Sequence, residues 1–267
     1  MTAPTTGVVF RPQQPPEALR AAVLEAEQAG VAEFWLWEDC FLEGGLTTAA
    51  AALAWSERIR VGIGLLPVPF RNPAVLAMEV ATLARLFPGR LLVTLGHGIQ
   101  DWMRQVGAAV DSPMTLLRET TVAVRDLLDG AAVTADGRYV RLDDVRLDWP
   151  PPQPPGLFIG GRGPRTVRLA GEVSDGVLLD DVVDTDGMRR DRAILDGGRE
   201  LSGRGGRASA LVFTEIDPAA TTGAALASLV RDRIDMLAEG GADSVILHGT
   251  AEASDPRPLI QALAALA

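Results

Sequence analysis

The sequence predicts a (β/α)8 barrel, an α/β fold, on three observations. Short apolar runs alternate with helically periodic segments almost to the end of the chain. Eight runs have the length of strands, and a helical pattern follows each. The run Leu91 to Leu95 is continuous and apolar but for Thr94, as expected of a parallel strand buried on both faces. A doubly wound open sheet is the alternative. It usually needs fewer strands per domain and carries its phosphate turn after the first of them.

Gly7-Val8-Val9-Phe10 reads as the first strand. Pro16 to Ala29 follows as a helix with apolar positions at helical spacing, ended by Gly30. Glu33 to Trp37 is the second strand and Thr47 to Ser56 its helix. Arg60 to Leu66 is the third strand; its helix, Pro73 to Leu86, is closed by Pro88-Gly89. After the fourth strand the alternation breaks. Ser112 to Leu128 is helical, and Val133-Thr134, Asp136-Gly137 and Tyr139 to Leu142 read as a hairpin with a tight turn. We read residues 1–267 as one barrel domain with a helix-plus-hairpin insertion at about 107–155, between strands four and five. Leu157 to Ile159 is the fifth strand, with a helix from Pro164. Gly176 to Leu179 is the sixth, before a polar helix from Gly187 to Leu201. Ala208 to Phe213 and Ser244 to Leu247 complete the eight, with helices at Gly223 to Ala238 and Pro258 to Leu266.

Composition narrows the function. The net charge of −10 argues against nucleic acid or an anionic membrane as partner. All 25 basic residues are Arg, so Schiff-base and P-loop lysine chemistry are excluded. Cys40 is the only cysteine, which rules out an intrachain disulfide and fits a reducing cytoplasm. No run is long and apolar enough for a membrane span, and the N-terminus lacks a signal-peptide pattern.

In a barrel of this kind the reactive site lies at the C-terminal ends of the strands. Those ends carry Glu38-Asp39-Cys40, Gly64-Leu65-Leu66-Pro67, Gly96-His97-Gly98, the turn Gly160 to Gly163, Asp180-Asp181 and His248-Gly249-Thr250. The turn runs Gly160-Gly161-Arg162-Gly163-Pro164-Arg165, between a strand and a helix. That arrangement can bring backbone N–H groups and arginines up to a phosphate. The two histidines, His97 and His248, both fall at strand ends. The glycines beside His97 favour a ligand-facing role there; His248 fits a capping role equally well. Glu38 and Asp39 are adjacent and, on a strand, point to opposite sides, so they make a poor carboxylate pair. No H-x-H or H-E-x-x-H spacing supports a metal site, and the Asp180-Asp181-Asp184-Asp186 cluster reads as a solvated loop and helix start. Cys40 reads as a small buried or pocket-lining residue. Trp35, Trp37 and Trp102 could stack on a flat ring; Trp35 and Trp37 share one strand face, so at least one face of that strand reads as core or barrel exterior.

Four stretches together resemble the luciferase-like monooxygenases, a barrel class that uses flavin or a deazaflavin. They are Phe34 to Phe41, Gly62 to Pro73, Leu95 to Gly98, and Phe158 to Arg165 continued by Asp175 to Leu179. The resemblance implies a ring lying across the barrel mouth, with Glu38 and Asp39 near it. Asp39 matches an acidic position that approaches the ring in deazaflavin-dependent members. Those often have a histidine next, where this chain has Cys40. Gly64-Leu65 matches a non-prolyl cis peptide behind the ring. Gly96, His97 and Gly98 match the turn along the ribityl chain and phosphate. Gly160, Gly161, Arg162 and Gly163 match the phosphate turn, with Arg162 or Arg165 as its charged partner. The implied function is oxidoreduction by hydride transfer with coenzyme F420, with Asp39 or His97 as proton partner. The alternatives are an FMN-dependent monooxygenase fed by a partner flavin reductase, and a flavin-binding protein without catalysis. The implied partners are a small-molecule substrate and a second copy of the chain; the mostly apolar or glycine strand ends favour a nonpolar or aromatic substrate over a sugar phosphate.

Overall fold

The computed structural model describes residues 3–180, 182 and 184–266. Eight parallel strands close into a barrel. In chain order they are β1 (Thr5–Phe10), β2 (Glu33–Leu36), β3 (Arg60–Pro67), β4 (Leu91–Gly96), β7 (Gly156–Gly160), β8 (Gly176–Leu179), β9 (Ser209–Glu215) and β10 (Ser244–His248). β1 pairs with both β2 and β10, which closes the ring and leaves no edge. The expected (β/α)8 architecture is the one observed.

The outer ring contains α1 (Leu19–Gln28), α2 (Gly45–Trp55), α3 (Pro73–Leu86), α5 (Pro113–Leu128), α6 (Pro164–Val173), α7 (Thr185–Ser202), α8 (Gly223–Gly240) and α9 (Arg257–Ala264). Their starts follow local chemistry. Asn72 caps α3 by accepting from the Ala74 N–H, with Pro73 in the first turn, and Asp184 caps α7 by accepting from Gly187. Gly203 and Gly241 close α7 and α8 at positive φ.

The segment between β4 and β7 departs from expectation in two ways. A short helix, α4 (Gln100–Gln105), was not foreseen, because six residues are too few to show a period. The expected helix, α5, packs between α3 and α6, so it serves as the fourth unit's ring helix. The part that stands outside the alternation is the hairpin of β5 (Val133–Asp136) and β6 (Arg141–Val145). Its second strand starts at Arg141 rather than Tyr139. The Glu119 carboxylate accepts the N–H groups of Arg138, Tyr139 and Val140, which holds those residues in the loop.

Two apolar layers hold the barrel. The larger packs the ring helices on the strands. The inner one fills the barrel with Val9, Trp35, Leu92, Phe158, Leu211 and Ile246, with Leu178 and Phe213 above. A Cβ on Gly62 would overlap the Trp35 indole, so a glycine on β3 makes room for that ring. Trp35 thus lies inside the barrel and not on its exterior. Below it the buried Glu33 carboxylate accepts from Trp35 Nε1 (2.9 Å), Ser244 Oγ (2.8 Å) and Arg60 Nη2 (2.6 Å).

Candidate active site

Strand parity builds the site. Side chains two residues beyond an interior position point the same way, one layer higher. Above Val9, Trp35, Phe213 and Ile246 stand Arg11, Trp37, Glu215 and His248, and all four line a cavity of about 900 Å3 at the C-terminal mouth. The same cavity is lined by Asp39, Gly64, Leu65, His97, Gly98, Trp102, Thr166 and the turn from Gly160 to Gly163.

Of the residues expected from sequence, most gather here. The Gly64–Leu65 peptide is cis, as the resemblance implies, and Cys40–Phe41 is a second non-prolyl cis bond. Asp39 faces the cavity with burial pushing its carboxyl above the ordinary range, opposed by the Arg11 charge. His97 lies beside the glycine turn, with Nε2 3.4 Å from Thr166 Oγ1. Burial lowers its pKa, and the Pro113 backbone acts in the opposite direction. Gly98 adopts a φ of 68°, which a side chain would resist.

Other expected residues are engaged elsewhere or lie off the cavity. Glu38 lines the cavity, but its carboxylate is already engaged: Arg71 donates to both oxygens at 2.6 and 2.7 Å, and the Gly45 N–H donates at 2.7 Å. It fastens the loop after β2 and has little left to offer a ligand. Gly96 is absent from the cavity lining. A Cβ there, or on Gly160, would overlap Leu65, so these two glycines admit the Leu65 side chain beneath the mouth. Arg165 is exposed and lies outside the lining. Arg162 does line the cavity, and it chelates Asp180 through Nε (2.8 Å) and Nη2 (2.6 Å). Cys40 is half-buried, off the cavity, and its thiol is pushed up by burial and by Glu38 and Asp39, so it is no thiolate nucleophile. Of the acidic cluster, Asp180 and Asp184 are used by Arg162 and by the α7 cap, Asp186 pairs with Arg189, and Asp181 lies outside the described residues.

Sequence reasoning passed over Arg11, Thr166, Thr214, Glu215 and Arg233, all of which line the cavity. For Arg11 and Glu215 the signal was present: each follows an interior strand residue by two. Arg233 comes from the middle of α8, which no strand-end rule reaches.

The cavity suits a flat ring carrying a polar tail. At one end Trp37, Leu65 and Phe213 offer apolar walls, while the buried Trp37 Nε1 has no hydrogen-bond partner among the described residues. Buried polar groups are seldom left so unless something else satisfies them. At the other end nothing lies within 4 Å of a Cβ built on Gly163, leaving open space at the start of α6.

Fold and cavity together define a (β/α)8 barrel protein with an open cavity at the C-terminal mouth of its strands. The chain belongs to the luciferase-like monooxygenase family, whose model matches residues 2–258. It is 29% identical over 175 residues to the 5,10-methylenetetrahydromethanopterin reductase of Methanolobus tindarius, covering 66% of this chain and 53% of the relative. The chain thus spans about half the length of the curated relatives it matches. It shares its fold with the coenzyme F420 dependent tetrahydromethanopterin reductase from Methanopyrus kandleri, at a TM-score of 0.83, 17% identity and 98% coverage of both chains. The fold is also that of the FMN-complexed 3,6-diketocamphane monooxygenase from Pseudomonas putida, at 0.76, 16% identity and coverage of 98% and 96%. No helix among the described residues is long and apolar enough to cross a membrane.

Proposed function

We propose that this protein is an oxidoreductase that binds a deazaflavin, coenzyme F420, across the barrel mouth and exchanges a hydride with a small organic substrate. The observation that carries this reading is the cavity itself. It joins an apolar, aromatic end with an orphaned indole N–H to a glycine-lined end at a helix start. Similarity to an F420-dependent glucose-6-phosphate dehydrogenase of Kineococcus radiotolerans, 29% identical over 178 residues, supports the choice of cofactor.

Bound there, the deazaflavin supplies a two-electron hydride carrier; the protein supplies place and protons. Leu65 and Gly64 back the ring, and Gly98, His97 and the turn from Gly160 to Gly163 receive the phosphate end, with Arg162 beside it. Asp39, which lines the same cavity, would be a proton-holding group for the cofactor side of the site. Its raised pKa lets it keep a proton to higher pH than an exposed aspartate would. His97, set against Thr166, belongs to the phosphate end. The partners of this reading are a small-molecule substrate and a second copy of the chain, in the cytoplasm. Residues 1–267 act as one barrel domain.

The test is a fluorescence titration with F420 and with FMN separately. Tight F420 and weak FMN binding are expected. The reverse would favour an FMN monooxygenase served by a flavin reductase, and binding of neither would overturn the reading. Gly163→Val sharpens it. A Cβ at Gly163 meets nothing within 4 Å, and the residue is extended, so the variant should fold. F420 affinity should fall at least tenfold; unchanged affinity would remove the phosphate end from this turn. Gly161 is a poorer probe, because its Cβ would press on the Thr166 side chain.

A further inference from the structure

The wall of the cavity formed by β1 and β10 carries a donor and an acceptor that the cofactor reading does not use. Arg11 is 9% exposed. Its Nη1 donates to the Gly249 carbonyl at 2.6 Å, its Nε donates to Gln13 Oε1 at 3.0 Å, and its guanidinium lies 4.8 Å from the Trp37 ring centre. Glu215 stands 3.7 Å from Nη1. Nη2 has no hydrogen-bond or ion-pair partner among the described residues.

His248 sits beside it, with its ring 5.0 Å from Trp37 and 6.3 Å from Phe213. Its Nδ1 is 2.9 Å from the Gly249 carbonyl oxygen, which can only accept. Arg11 Nη1 also stands 3.4 Å from Nδ1, but the shorter contact to the carbonyl governs: it places the proton on Nδ1 and leaves Nε2 as a lone pair. Nε2 too has no partner among the described residues. Three charged groups act on the ring: Arg11 from just after β1, Glu215 from β9 and Asp180 from just after β8; Asp39, in the loop after β2, faces Arg11. Burial outweighs the carboxylates and holds the imidazole below its ordinary pKa, so it is neutral at pH 7.

A fixed cationic donor next to a fixed neutral acceptor matches one common group best. A carboxylate would need two donors, and a carbonyl would leave Nε2 unsatisfied. A hydroxyl gives its proton to Nε2 and accepts from Nη2, while Trp37 and Phe213 face the hydrocarbon beside it. We propose that Arg11 and His248 form the site for a substrate hydroxyl, and that His248 Nε2 takes its proton as the carbinol carbon is oxidised. This rests on the hydride-transfer reading above. In the step, the O–H bond breaks and its proton passes to Nε2, giving an imidazolium. The carbinol C–H bond breaks with its electron pair leaving as hydride to the oxidised deazaflavin, and the C=O bond forms. Arg11 holds the oxygen while negative charge develops on it. In the reverse direction the imidazolium returns the proton to the carbonyl oxygen. The substrate class is a largely apolar alcohol or its ketone.

The test needs no turnover. In protein carrying 15N-histidine, the two imidazoles are assigned by the signal lost in His248→Gln. At pH 7 His248 is expected as the Nδ1–H tautomer, and cyclohexanol is expected to shift its Nε2 resonance saturably. Arg11→Gln should raise the cyclohexanol Kd about tenfold, as loss of a charge-assisted hydrogen bond implies. Because Arg11 is buried, Arg11→Lys serves as a second variant that keeps the charge and should retain most of the response. His248→Gln should bind F420 with unchanged Kd. An Nε2–H tautomer, or a cyclohexanol response that is absent or equal in Arg11→Gln, would overturn the proposal. Failure of F420 to bind the parent protein would instead sink the functional reading, and the tautomer and alcohol results would stand apart from it.

Discussion

At the residue scale, what could be read in advance was position along the chain, and what could not was the partner each side chain finds. Asp39, His97 and the glycine turn were placed at strand ends by periodicity alone, and they do meet in one cavity. Glu38 was grouped with them because it neighbours Asp39. Its carboxylate turns instead to Arg71, 33 residues away, which no local pattern announces. That pair sets a prediction. Arg71→Ala leaves Glu38 nearly buried with only the Gly45 N–H for support. Removing one partner of a buried ion pair costs roughly 3 kcal/mol. Urea unfolding should show a loss of that order, and a change within error would mean that the loop after β2 does not depend on the pair.

At the element scale, length and period decided legibility. All eight barrel strands and the longer helices were recognisable because each buries a full face. The six-residue α4 and the start of β6 were not, since one turn has no period and the hairpin loop is fixed by Glu119 from another element. The crossing of α6 and α7 shows the same limit. A Cβ on Gly171 would overlap the Leu195 carbonyl, and one on Gly198 the Arg168 carbonyl, so the two helices meet backbone to backbone. Gly197, one residue away, meets nothing within 4 Å. Gly197→Ala should therefore stabilise by up to about 1 kcal/mol through helix propensity. Gly198→Ala should destabilise by about 1–3 kcal/mol or more, because backbone cannot yield as a side chain can. Thermal unfolding of the pair separates these signs, and similar shifts in both would refute the close crossing.

At the scale of the whole molecule, burial sets how stability responds to pH. The Glu43 carboxyl is pushed up to about 7 by burial, with Glu17 adding to it, and its buried Oε1 has no partner. The folded state thus holds this proton more tightly than the unfolded chain, whose glutamates titrate near 4.5. The resulting stability is full below about pH 4.5 and is lost as pH rises through 7. Glu43→Gln should accordingly match the parent at pH 4 and exceed it at pH 8. His97 and His248 work in the opposite sense. Burial lowers both, so below about pH 6.5 the unfolded chain binds protons first and stability falls. A pH series of unfolding midpoints for parent and variant isolates the glutamate. Alternation of apolar runs and helical periods was enough to define a closed parallel barrel and the end at which its ligand cavity lies, because burial of each element's face is a local property of its residues. Which strand-end groups are engaged by distant partners, as Glu38 is by Arg71, and which stand ready in the cavity, as Arg11 and His248 do, was settled only when closure of the barrel brought β1 beside β10. The Arg71–Glu38 pair joins residues 33 positions apart and the contacts of Arg11 with the end of β10 residues more than 230 apart, and no spacing along the chain encodes either.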